Sequence, residues 1–304
     1  MLTTGHLTLL YRGPLAHCNF TCGYCPFGES TTPPPTDELK RDAAALSRFV
    51  GQVERRQAPT SVLFTPRGEA LIHRHYREAL VRLSRAPHLQ RVAIQTNLSC
   101  GLGWLSEARP DRLGLWTTYH PGQANRERFV ERCSPLLRAG ISFSVGVVGL
   151  LEHLDPILAL RRELPTRVYL WINAFKRDPN YYDDNTIVRL RAIDPLFGYN
   201  LRPQPSRGRP CEAGCSVVTV QATGEQLTLN RCLFTDEVLG DLERGFDLHP
   251  SPRPCPEDHC RCHIGYVHLP HLEMARHFGA GLLERAAIQA AFENRPGRTM
   301  MPDR

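Results

Sequence analysis

Three cysteines stand close together near the start of the chain, in the run His17-Cys18-Asn19-Phe20-Thr21-Cys22-Gly23-Tyr24-Cys25-Pro26. Their C-x3-C-x2-C spacing falls on a glycine-containing loop that follows an apolar run, Leu7 to Tyr11. Three thiolates so placed can cap three corners of a [4Fe–4S] cube. With no fourth cysteine nearby, the last iron keeps an open coordination position for a small chelating ligand. A closed structural zinc site is the competing chemistry, but it wants four ligands and commonly shows paired C-x2-C units. His17 is the nearby fourth candidate, and its adjacency to Cys18 makes shared tetrahedral ligation awkward.

Six further cysteines gather later, at Cys211, Cys215, Cys232, Cys255, Cys260 and Cys262. Six thiolates exceed the four that one cluster needs. The expected set is Cys211 or Cys215, with Cys232 and two of Cys255, Cys260 and Cys262. Structural zinc using His259 or His263 is the rival there, because mixed Cys/His ligation suits zinc. Cys100 and Cys133 stand alone and read as small buried hydrophobes. Eleven cysteines, an odd number, in a chain whose start lacks the marks of a secretory signal speak for metal or redox chemistry rather than a disulfide framework.

The elements that must position these groups follow from periodicity. Up to about residue 200, short β-rich runs alternate with amphipathic stretches, the pattern of βα units around a parallel sheet. The expected strands are 7–12, 61–65, 91–96, 113–118, 141–148 and 167–174. Helices are expected over 37–56, 71–86, 124–139, 151–163 and 184–194, the first carrying an apolar stripe of Leu39, Leu46, Phe49, Val50 and Val53. Six strands predict an α/β fold, a partial (β/α)6 TIM-like barrel spanning residues 1–202. Pro33, Pro34 and Pro35 close the cysteine loop before the first helix. The Pro- and Arg-rich stretch Arg202 to Pro210 marks the domain boundary. Beyond it, over 203–304, a small cysteine-rich unit is expected. Its hairpin turns at Thr223-Gly224, and a C-terminal helix runs from about 271 to 292, weakened by Gly279 and Gly281.

Composition narrows the function classes. The 304 residues are 41% hydrophobic and 22% charged, ordinary for a globular chain. No apolar run approaches the roughly 20 residues of a membrane span, so a cytoplasmic protein is expected. The formal charge of +6 is carried by arginine, since lysine occurs only at Lys40 and Lys176. The arginines are spread along the chain, which argues against a nucleic-acid surface.

With Tyr24 directly before the last cysteine, the first loop resembles the signature of the radical S-adenosylmethionine (radical SAM) superfamily. The resemblance implies that Cys18, Cys22 and Cys25 ligate the cluster and that the cofactor's methionine amine and carboxylate chelate the open iron. One-electron reduction then splits the sulfonium, giving a 5′-deoxyadenosyl radical that abstracts hydrogen. Thr65-Pro66-Arg67-Gly68-Glu69-Ala70 resembles the family's G-G-E-P segment at Gly68 and Glu69, with Arg67 and Ala70 departing from it. Gln95-Thr96-Asn97 resembles its T-N segment. Val145-x-Val147-x-Gly149-x-x-Glu152 is similar to its G-x-I-x-G-x-x-E pattern, with Val145 in place of the first glycine.

By the same resemblance Tyr24, Gly68, Glu69, Thr96, Asn97, Gly149 and Asn173 are the cofactor contacts, and a low-potential electron donor such as a flavodoxin is implied. Tyr119, His120 and Arg67 are candidate hydrogen-bond donors; no catalytic residue is assigned. The later cysteines, together with Gly240-Asp241-Leu242, resemble the SPASM and twitch domains, which implies one auxiliary [4Fe–4S] cluster. Such domains often accompany peptide or protein modification, so a peptide-like substrate is expected. A small-molecule radical dehydrogenase is the alternative, and a zinc-dependent nucleic-acid-binding protein is the alternative of another class.

Overall fold

The computed structural model describes residues 5–27, 31–261 and 268–287. Its centre is a ten-stranded sheet: β1 Leu7–Arg12, β2 Thr60–Phe64, β3 Leu89–Thr96, β4 Leu113–Thr118, β5 Ser142–Val148, β6 Leu170–Asn173, β7 Val217–Ala222, β8 Leu227–Asn230, β9 Val238–Asp241 and β10 Gly245–Phe246. The order across the sheet is β10-β9-β8-β7-β1-β2-β3-β4-β5-β6. From β7 through β6 all neighbours run parallel, and β7 to β10 form an antiparallel extension. The six expected βα strands appear within three residues of their predicted limits. The helices follow as α1 Thr36–Arg55, α2 Arg74–Arg85, α3 Arg126–Arg138, α4 Leu154–Glu163 and α5 Asp184–Ile193.

Parallel strands covered on both faces read as continuous apolar runs, and β1 shows the consequence. Leu7, Leu9 and Tyr11 enter the large core that also holds Leu46, Phe49 and Val53 of α1 and Leu80 and Leu83 of α2. The opposite face sends Leu10 into a separate cluster with Leu63, Ala93, Trp116, Val217 and Leu283. The alternation of side chains along a strand thus separates a helix-side core from a barrel interior.

The predicted hairpin, here β7 and β8, pairs Val220 with Leu229. Its first strand lies parallel to β1, with Leu9 opposite Val218. The sheet therefore runs unbroken across the compositional break near residue 202. The C-terminal segment differs from the expected single helix over its described part. It is a 3-10 turn at Pro270–Leu272, one α turn, α6, at Ala275–Phe278, and a second 3-10 turn at Gly279–Gly281. Positive φ at Glu273, Gly279 and Arg285 breaks the helical path.

That broken path carries Glu284 and Arg285 into the sheet's interior face. The Ser142 hydroxyl donates to Glu284 Oε1 at 2.6 Å, and the Ser144 hydroxyl to the Glu284 carbonyl at 2.5 Å. Gly114 makes room for it: a Cβ there would lie 2.6 Å from the Glu284 carboxyl carbon. No helix among the described residues is long and apolar enough to cross a membrane.

The outer edge of β6 is closed by side chains rather than by another strand. Asp194, fully buried, accepts from the Ile172 backbone N–H at 2.9 Å and the Tyr169 hydroxyl at 2.5 Å. The Asn200 amide donates to the Ile172 carbonyl. Both polar groups of an edge residue are thereby satisfied.

Burial holds the Asp194 carboxyl up at about 6, above its ordinary value of 3.8. A carboxyl raised on folding binds more protons in the native state between those limits. Its contribution is therefore fully present below about pH 4 and is lost as pH rises through 6. Replacing Asp194 by asparagine removes that titration. Melting curves at pH 4 and pH 6.5 should show the parent losing ~2 kcal/mol more over this interval than Asp194→Asn.

Candidate cofactor site

At the C-terminal ends of β1 to β6 the loops enclose a cavity of ≈ 750 Å³, the place where βα sheets present ligand-binding residues. The cysteine loop crosses its mouth. Ala16 and His17 pair in parallel with Arg67 and Gly68, which seats the loop against the segment after β2. Upstream, the buried carboxylate of Asp42 on α1 accepts from Leu15 N–H and from the Tyr76 hydroxyl, and lies 2.7 Å from His75 Nε2.

Three later loops hold the cysteine loop from above. Asn97 donates from Nδ2 to Asn19 Oδ1 at 3.0 Å, the Thr21 N–H donates to Gln123 Oε1 at 2.9 Å, and Arg177 reaches the carbonyls of Tyr24 and Cys25. Inside the loop, Cys25 N–H bonds back to the Cys22 carbonyl at 2.9 Å, a tight turn that brings the two cysteines together.

Cys18, Cys22 and Cys25 all line the cavity. Burial pushes the Cys18 thiol up to about 11 and raises that of Cys22. Cys18 and Cys22 are therefore protonated at neutral pH. Tyr24 stacks on His120 at 6.0 Å between ring centroids, its hydroxyl 2.9 Å from His120 Nδ1, and Cys22 Sγ lies 3.4 Å from the same nitrogen. Burial lowers the imidazole to about 4, so it is neutral and its Nδ1 can accept a hydrogen bond from the Tyr24 hydroxyl. Among the described residues no three His, Cys, Asp or Glu side chains are already gathered as a metal cage. What fits an iron–sulfur cluster is the donor set, three thiols of one short loop facing one cavity.

Gly68 and Glu69 follow at the end of β2. Gly68 adopts φ +114°, and a Cβ there would lie 2.1 Å from the His17 carbonyl oxygen, so only glycine allows the two segments to pair. Glu69 is buried and accepts three hydrogen bonds: Oε1 from Leu71 N–H at 3.1 Å and from the Thr96 hydroxyl at 2.9 Å, Oε2 from Asn97 N–H at 2.5 Å. Burial raises its carboxyl to about 7 against the pull of those donors. It thereby fixes Thr96 and Asn97, and through Asn97 the cysteine loop.

Of the residues expected to contact a cofactor, Tyr24, Gly68, Glu69, Thr96, Asn97 and Asn173 line this cavity. Gly149 does not: its N–H bonds to the Asn173 carbonyl, and its own carbonyl accepts from the Tyr182 hydroxyl at 2.6 Å. Its position behind the strand end is set by packing, since a Cβ would lie 3.0 Å from Ile172. Among the candidate donors, His120 lines the cavity. Tyr119 turns the other way to pack on Phe129, and Arg67 is spent on the Pro14 carbonyl. The sequence reading missed Trp116, Trp171, Lys176, Arg177 and Arg285, all on the cavity wall.

The later cysteines divide. Cys211 lies in an apolar cluster with Tyr169, Trp171 and Phe278, and Cys232, Cys255 and Cys260 pack against it. Burial raises the Cys211 thiol, and the neighbouring Cys255 and Cys232 add to the rise. Cys215 is outside this group, and Cys262 and His263 lie outside the described residues. His259 is exposed, in a two-residue strand paired with Gln204–Pro205.

No family model and no curated protein matches the sequence. Among solved structures, the His6-tagged anSMEcpe with bound AdoMet superimposes with a TM-score of 0.50 at 13% identity, over 79% of this chain and 76% of that one. The chain shares the fold of that structure. Native anSMEcpe with bound AdoMet and the Cp18Cys peptide is similar at TM-score 0.47 and 16% identity, over 79% and 78% of the two chains. SuiB of Streptococcus suis is similar at 0.49 and 13%, over 75% of this chain and 61% of its own length. The ends of the parallel strands face the cavity described above, with the cysteine loop at its mouth.

Proposed function

We propose that this chain is a radical SAM enzyme, with a [4Fe–4S] cluster on Cys18, Cys22 and Cys25 and S-adenosylmethionine beside it. One observation carries the reading: the cysteine loop, Gly68-Glu69 and Thr96-Asn97, far apart in sequence, line one cavity at the ends of the parallel strands. When bound, the cluster and cofactor supply the means to generate a 5′-deoxyadenosyl radical. The chain's own residues hold the parts. Glu69 locks the Thr96-Asn97 turn, Asn97 and Arg177 brace the cysteine loop, and Trp116 and Trp171 wall off the inner end from water.

Cys211, Cys232, Cys255 and Cys260 are the ligand set we assign to an auxiliary cluster, supported by their packing around one apolar group. A peptide-like substrate and a low-potential donor such as a flavodoxin complete the reading. Anaerobic reconstitution followed by iron, sulfide and zinc analysis tests it. About eight irons with matching sulfide, and 5′-deoxyadenosine on addition of reductant and S-adenosylmethionine, are the expected result. A zinc-only protein that forms no 5′-deoxyadenosine overturns it.

A further inference from the structure

A buried arginine joins the segments that carry the later cysteines. Arg231 directly precedes Cys232 in the turn between β8 and β9, and its side chain is buried. Its backbone N–H donates to the Glu237 carbonyl at 2.9 Å, which closes that turn. From the guanidinium, Nη2 donates to the carbonyls of Arg253 and Pro254, the two residues before Cys255, at 3.1 and 2.8 Å. Nη1 donates to Glu237 Oε2 at 3.2 Å. Arg253 is in turn paired with Cys211 in a short antiparallel ladder. The segments at 211, 232 and 255 are thereby joined through one side chain.

The arginine is itself braced. Glu237 Oε1 lies 2.6 Å from His249 Nε2, and the His249 backbone N–H donates to the Gly214 carbonyl at 2.8 Å. Gly214, in the turn after Cys211, adopts φ +88°, and a Cβ there would lie 2.8 Å from the His249 ring and 3.0 Å from Arg231 Cγ. Glycine is what lets that turn close over the pair. The sulfurs are oriented as well. The Phe234 N–H donates to Cys232 Sγ at 3.4 Å, and against the burial that raises the Cys211 thiol both the Ala213 N–H and the Arg231 charge favour its thiolate. Burying a guanidinium is costly unless its donors are used. Here they are used on peptide groups next to cysteines, a task that suits a rigid planar fork better than a flexible ammonium.

We propose that Arg231, braced by Glu237 and His249, is a positioning residue that holds Cys211, Cys232 and Cys255 at the spacing one metal centre requires. The proposal rests on the reading of these cysteines as auxiliary-cluster ligands, and its test separates the two. Groups that orient ligands from outside the coordination sphere commonly change metal affinity by ~10- to 100-fold when they are lost.

The full chain, Arg231→Met, Arg231→Lys and the control Arg48→Gln are reconstituted anaerobically, analysed for iron, sulfide and zinc, and then challenged with a chelator. Arg48 donates to the Gly224 carbonyl at 2.7 Å, at the opposite end of the β7–β8 hairpin from Cys232, so its loss should leave both metal centres as in the parent. Arg231→Met should release its second set of irons at least ~10-fold faster than the parent. Its first cluster should keep its paramagnetic signal and the shift of that signal on S-adenosylmethionine. Arg231→Lys keeps the charge opposite Glu237 but not the grip on two carbonyls. It should therefore keep the parent melting temperature and still release the second irons faster, which provides the reading where Arg231→Met fails to fold. Parent-like retention in both Arg231 variants overturns the proposal and leaves the auxiliary cluster standing. Loss of both clusters together in both variants also overturns it, assigning Arg231 to the fold as a whole. Zinc in place of the second irons, released faster from the Arg231 variants, upholds the positioning role while the auxiliary-cluster reading fails. A parent chain with no metal on these cysteines overturns both.

Discussion

Cys22→Ser, reconstituted anaerobically, is expected to return with about four fewer irons per chain than the parent and to form 5′-deoxyadenosine at no more than ~1% of the parent rate. Substitutions merely outside a metal's ligand sphere cost 10- to 100-fold, and a ligand should cost no less. The loss should be selective, because the cysteines around Cys211 belong to a different part of the chain. Cys18→Ser and Cys25→Ser should behave alike. Cys133→Ser is the control: that thiol is buried on α3 and donates to the Phe129 carbonyl at 3.4 Å, a bond serine can keep. Equal iron contents in Cys22→Ser and the parent would remove the first loop from the metal chemistry.

Glu69→Ala is expected to have the largest effect among substitutions that touch no cysteine. It strands the Leu71 and Asn97 amides and the Thr96 hydroxyl, three buried donors that now share one carboxylate. At ~1–3 kcal/mol for each orphaned group the loss is ~3 kcal/mol or more, a fall of roughly 6–12 °C in melting temperature for a chain of this size. Because Asn97 ties down Asn19 of the cysteine loop, iron retention should fall with stability. Glu69→Gln keeps the volume and one acceptor, so it should lose much less stability. Thermal melts with iron analysis of both variants check this, and a fully stable Glu69→Ala would show that the carboxylate does not brace the site.

The βα alternation was legible because parallel strands buried on both faces leave continuous apolar runs, and the first cysteine loop because its three thiols sit close together in the chain. What escaped the sequence is non-local. Nothing in Val217 to Ala222 says that it lies parallel to β1, some 200 residues earlier, because the pairing depends on backbone hydrogen bonds that any apolar strand can make. Asp194 stood at the end of the expected helix 184–194 and Asn200 lay in no expected element, yet both cap the β6 edge. Arg285 carried no pattern at all. Its place between two indoles arises from a positive-φ break within a segment whose apolar spacing suggested a helix. Gly149 and Tyr119 fit their patterns in sequence, but local packing turns both away from the cavity.

The most direct test of the central reading is electron paramagnetic resonance of the reconstituted, reduced chain before and after S-adenosylmethionine. A cluster with one open iron, held by Cys18, Cys22 and Cys25, predicts a [4Fe–4S]+ signal whose g-values shift when the cofactor is added, and no such shift in Cys22→Ser. A signal that the cofactor leaves unchanged, or a chain that takes up zinc and gives no signal, would contradict it.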